Sequence, residues 1–87
     1  MNSEVFSNIQ SAIFDVMETK KCGTWWVIED LIKNVRKRCI NNGLQILNKD
    51  GEKDLINMIM SNLYGFEKLH IAEIKEIEGK NNVKLLY

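Results

Sequence analysis

The densest group of side chains able to do chemistry is Lys33, Arg36, Lys37 and Arg38, four cations within six residues. On a helix, Lys33, Arg36 and Lys37 fall on one side, a spacing that suits neutralising phosphates along a backbone. A second group lies near the C-terminus, where Lys75, Lys80 and Lys84 accompany Asn81 and Asn82. Glu73, Glu76 and Glu78 dilute it. A solvated surface is the plainer role of both groups. Other chemistry is poorly supplied. His70 is the single histidine, and Cys22 and Cys39 form no CxxC pair, so neither a multi-histidine nor a cysteine zinc site is expected. Gly79-Lys80 lacks the upstream glycine of a phosphate-binding loop. No carboxylate stands on an apolar background that would tune its acidity. The expectation is a non-enzyme with no cofactor.

The elements that must position these residues follow from periodicity. Val5, Phe6, Ile9, Ala12, Ile13, Val16 and Met17 share one helical face, which predicts a first helix over 3–19, capped by Asn2 or Ser3 and stopped by Gly23. A second helix is read over about 25–41, with Thr24 as its cap and Gly43 at its end. Trp25, Ile28, Leu31, Ile32, Val35 and Cys39 line its apolar face. Residues 24–27 alternatively form a short strand, because Trp-Trp-Val is β-compatible. Leu44, Ile46 and Leu47 should touch the core from an irregular connection. A third helix over about 51–64, capped by Asn48 or Asp50, buries Leu55, Ile56, Ile59, Met60 and Leu63, with Gly65 as its C′ residue. A β-hairpin follows, turning at Gly79 and Asn81-Asn82 and returning through Val83, Leu85 and Tyr87. Residues 66–77 alternatively extend as helix. Phe6, Ile9, Ile13, Ile28, Leu31, Val35, Ile59 and Leu63 should meet in one core, joined by Ile77 and Leu85.

Two aromatics fall outside that core. If 25–41 is helical, Trp25 joins Ile28 and Ile32, while Trp26 lies beside Lys33 and Lys37. Trp26 is then a partly exposed interaction anchor, unless the hairpin or residues 44–49 cover it. Tyr64 sits on the outward stripe of the third helix with Lys53, Asn57 and Ser61, side chains able to meet base edges or phosphates. Asp50, Glu52 and Asp54 in the first turn oppose such contact, since phosphates repel them.

Eighty-seven residues, 45% hydrophobic and 28% charged, make one globular domain, 1–87, too small for a large enclosed active site. Formal net charge is zero, so any nucleic-acid contact must come from a local patch. No apolar run approaches the roughly 18 residues of a membrane span, and no signal peptide is visible. A cytoplasmic location, reduced cysteines and no membrane partner are expected.

The amphipathic helix ending near Lys20-Lys21, the run GTWWVIEDLI opening a helix, the helix GEKDLINMIMSNLYGF and the hairpin IKEIEGKNNVKLLY together resemble the winged-helix superfamily over nearly the whole chain. The resemblance is one of layout and carries no diagnostic motif. It implies an α+β, three-helix winged-helix-like domain with a C-terminal β-hairpin. It also implies one of two functions. The first is binding of double-stranded DNA, as in a plasmid or phage regulator or accessory factor. The resemblance would put the third helix (Lys53, Asn57, Ser61) and the wing (Lys80, Asn81, Asn82, Lys84) at the DNA, and the basic cluster of the second helix (Lys33, Arg36, Lys37) is expected to join the wing there. The second is a protein-binding adaptor or inhibitor that leaves DNA alone. Either could associate as a homodimer.

Overall fold

Three amphipathic helices and a three-stranded antiparallel sheet make up the computed structural model, which describes the backbone of residues 3–86 and the side chains of residues 8–86. The expected core position of Phe6, the cap at Asn2 or Ser3 and the strand position of Tyr87 fall outside what is described. Helix α1, Ser3–Met17, buries Ile9, Ala12, Ile13, Val16 and Met17, the spacing of one helical stripe. It stops two residues short of the expected end. The Thr19 hydroxyl and amide both donate to the Val16 carbonyl, at 2.6 and 3.1 Å, which closes the last turn tightly.

The short-strand alternative holds for the segment that follows. Trp26–Val27 is strand β1, and α2 starts only at Ile28, running Ile28–Asn41. Thr24 does not cap it; its hydroxyl donates back to the Lys21 carbonyl at 2.6 Å. The aromatic and β-branched side chains favour a strand, and a central strand is at hand to pair with them. The far end of α2 is as expected. Gly43 adopts φ +101°, and the Gly43 and Leu44 amides donate to the Ile40 and Cys39 carbonyls, each at 3.0 Å, a Schellman closure.

Helix α3 is longer than its pattern suggests, Lys49–Lys68. Asn48 caps it by accepting from the Gly51 amide at 2.9 Å. Gly65 does not end it. A glycine inside a helix costs about 1 kcal/mol, but continuing buries Phe66, whose ring centroid lies 4.9 Å from that of Phe14. Leu69 caps the helix, and His70 takes the left-handed C′ position that closes it, at φ +59°. Its amide donates to the Glu67 carbonyl, and the Ile71 amide to that of Phe66.

Strands β2, Ala72–Ile77, and β3, Lys80–Leu85, form the hairpin. The turn is Glu78-Gly79, both at positive φ (+52° and +78°), as a type I′ turn requires. Asn81 and Asn82, expected in the turn, belong to β3. The strand order is β1-β3-β2, so β3 is central. The core gathers Ile9, Ile13, Ile28, Leu31, Val35, Ile59, Leu63 and Leu85 as expected, with Trp26, Leu55, Phe66 and Val83. Ile77 is not in it, because the register puts its side chain on the opposite face of the sheet. Leu44 and Ile46 pack against the core, but Leu47 is 84% exposed. On α3, Ile56 is exposed, while the expectation missed buried Asn62, whose amide donates to the Met58 carbonyl at 2.8 Å.

Candidate functional site

Alternation along the strands sorts the charges that the sequence interleaves. Directly paired residues share a face, so Trp26, Val83 and Ile74 lie together, as do Ala72 and Leu85, against the helices. The other face carries Val27, Asn82 and Lys75 in one row, Lys84 and Glu73 in a second, and Lys80 and Ile77 at the tip. Three lysines therefore meet one carboxylate on the outer face, while Glu76 and Asn81 fall on the other. The Lys84 ammonium lies 3.4 Å from the Glu73 carboxylate and 4.7 Å from the ring centroid of half-buried Trp25.

This face continues onto α2. A concavity of about 320 Å³ is lined by Trp25, Trp26 and Val27, by Lys20 from the α1–β1 connection, and by Asp30, Lys33 and Asn34 from α2. Lys20 holds its ammonium 4.2 Å from the Trp26 ring centroid. Lys37 follows Lys33 one turn along α2, and both are exposed. The run from the hairpin to α2 thus carries Lys75, Lys80, Lys84, Lys20, Lys33 and Lys37 against Glu73 and Asp30.

Several expected site residues stand elsewhere. Trp26 is buried, at 7% exposure, and is no surface anchor; Trp25 has the outer position, because a strand sends neighbours to opposite faces. Asn82 is buried on the central strand, and its amide donates to the Lys80 carbonyl at 2.9 Å. Arg36 grips Glu52 at the start of α3, its Nε donating to both carboxylate oxygens at 2.9 and 3.1 Å. Those hydrogen bonds hold the Glu52 carboxyl below the usual carboxylate range and raise the Arg36 guanidinium. Arg36 is thereby spent on joining two helices, and Glu52 no longer presents a free charge. Lys53, Asn57, Ser61 and Tyr64 are exposed along α3, and no side-chain hydrogen bond or ion pair among the described residues ties them to the hairpin or to α2. Lys20 and Trp25 were missed as site residues. The strand reading of 24–27 would have exposed Trp25, whereas Lys20, with Lys21, reads in the sequence as a cation at the end of the first helix and not as part of a site.

Both cysteines are free thiols. Cys22 is exposed and its Sγ lies 3.6 Å from the Leu85 carbonyl; Cys39 is buried, which pushes its thiol pKa up. Among the described residues no group of three or more His, Cys, Asp or Glu side chains is placed to hold a metal ion, and no helix is long and apolar enough to cross a membrane. Compared with known proteins, the chain matches no family model, and neither a curated protein nor a solved structure is significantly similar to it.

Proposed function

We propose that the chain is a non-catalytic winged-helix protein that binds double-stranded DNA by its phosphate backbone, through the outer face of the hairpin and the adjoining side of α2. Three helices followed by a hairpin, with a short strand ahead of the second helix, is the layout of winged-helix domains and supports the reading. The observation that carries it is the excess of lysines, six against Glu73 and Asp30, on the surface that holds Lys80, Lys75 and Lys84, Trp25, and Lys20, Lys33 and Lys37. A neutral chain has no long-range attraction for a polyanion, so binding must draw on such a local concentration of one sign. Ammonium groups spaced along a surface neutralise successive phosphates and release their counterions. Trp25, with its polar surround, offers a flat apolar surface for a sugar. The α3 stripe of Lys53, Asn57 and Ser61 is secondary here, since Asp50 and Asp54 remain exposed beside it.

The test is a fluorescence-anisotropy titration of labelled random-sequence duplex at low salt. Lys80→Ala and Lys33→Ala should each weaken binding to all sequences alike. Absence of duplex binding by the wild-type protein would overturn the reading. It would favour a protein-binding adaptor, for which the specific feature is the apolar groove of Ile32, Leu55 and Ile56 between α2 and α3.

A further inference from the structure

The sheet has one long free edge. β3 is paired on both sides, β1 is two residues long, and among the described residues β2 has a neighbour only on its β3 side. In an antiparallel ladder the backbone groups of alternate residues point to opposite sides of the strand. A two-residue turn makes Ile77 and Lys80 a hydrogen-bonded pair, so Ile77, Lys75 and Glu73 turn their amides and carbonyls toward β3. The same parity continues past the strand, where the Leu86 amide donates to the Ile71 carbonyl at 2.9 Å. Ala72, Ile74 and Glu76 therefore aim their amides and carbonyls outward, and among the described residues no backbone hydrogen bond to a turn, loop or cap engages them. Proteins usually disrupt or cover such an edge.

We propose that β2 pairs antiparallel with β2 of a second copy of this chain, joining two sheets into one of six strands about a two-fold axis at Ile74. The register follows from parity and charge. Only Ala72, Ile74 and Glu76 can supply hydrogen bonds, so they must face one another. Setting Ile74 opposite Ile74 also sets Ala72 opposite Glu76 on either side of the axis, which makes six backbone hydrogen bonds. The same register places Glu73 of each copy opposite Lys75 of the other, twice. Both are exposed on the outer face of the sheet, in pairs whose side chains lie closest because their backbones do not bond across the interface. Moving the register by one permitted step sets Glu73 against Glu73 or Lys75 against Lys75 at the axis. Lys75 has no ion-pair partner among the described residues, and Glu73 holds only Lys84, at 3.4 Å. The edge is therefore complementary to itself in one register and repulsive in its neighbours. This pairing does not rest on DNA binding; it engages Lys75 with Glu73 of the other copy and leaves Lys80 and Lys84 as the hairpin cations free to meet phosphates.

Sedimentation velocity over a concentration series is the test. The wild type should pass from a 10.1 kDa species to one of twice that mass. Lys75→Glu and Glu73→Lys should each raise the dimer dissociation constant by roughly tenfold or more, because each turns two attractive cross-strand pairs into two repulsive ones. The double swap Glu73→Lys/Lys75→Glu should restore it, which a general loss of folding would not allow. In the wild type, amide exchange at Ala72, Ile74 and Glu76 should slow as concentration rises. A protein that stays monomeric throughout, or a double swap no better than either single variant, would overturn the proposal.

Discussion

Trp26 sits with its ring in the core and the Lys20 ammonium 4.2 Å from its centroid, while Trp25, one residue earlier, lies on the outer side beneath Lys84. Their roles are the reverse of those that a continuous helix from residue 25 would give. Trp26→Ala should cost about 3–5 kcal/mol, as loss of a large buried aromatic does. Trp25→Ala should leave the fold intact, losing about 0.5–1 kcal/mol of cation–π attraction, and should weaken DNA binding. Thermal melts and duplex titrations on both variants check this, and a lower melting temperature for Trp25→Ala than for Trp26→Ala would contradict it. His70 is a second residue whose conformation makes a prediction. Its φ of +59° is strained for a side chain with a β-carbon, and the Schellman closure needs only its backbone. His70→Gly should stabilise the protein by about 1 kcal/mol, a rise of roughly 4–8 °C in melting temperature for a chain of this length.

At the scale of elements, the Arg36–Glu52 pair locks the middle of α2 to the first turn of α3. Glu52 is held below its unfolded pKa, chiefly by the hydrogen bond from Arg36. Its contribution to stability is therefore present above the unfolded glutamate pKa and is lost as pH falls through the lower folded value. Glu52→Gln should melt below wild type near neutrality, and the two melting curves should converge across that acid window. A constant gap down to low pH would show that the pair has no pH-linked role. The helices were readable in the sequence because their apolar residues recur at 3.6-residue spacing over three or more turns, and because Asn48 and Gly43 supply ordinary end signals. The end of α3 was not readable, since His70 fills a position where glycine is the usual mark and Gly65 lies inside the helix. Strand β1 was legible only as an alternative. Two residues have no period of their own, and what makes them a strand is pairing with Val83 and Asn82, some 55 residues away.

For the whole molecule, the consequential quantity is where its charges sit. The chain carries equal numbers of basic and acidic residues, so a lysine-rich face implies an acidic remainder, and orientation toward a polyanion becomes part of recognition. The cations themselves were visible in sequence, but their sorting was not. It depends on a two-residue turn at Glu78-Gly79, which sets odd-numbered Lys75 on the same face as even-numbered Lys80 and Lys84. A turn placed at Asn81-Asn82 would leave Lys75 and Lys84 together but move Lys80 to the opposite face, beside Glu76 and Glu78. The central claim is that this face holds duplex DNA by its phosphates. It is tested most directly by the slope of log affinity against log salt for the wild type and for Lys75→Ala/Lys80→Ala/Lys84→Ala. Each phosphate contact contributes a slope of about −0.9, so the triple variant should bind more weakly with a slope flatter by about 2–3. An unchanged slope in the triple variant would contradict the claim.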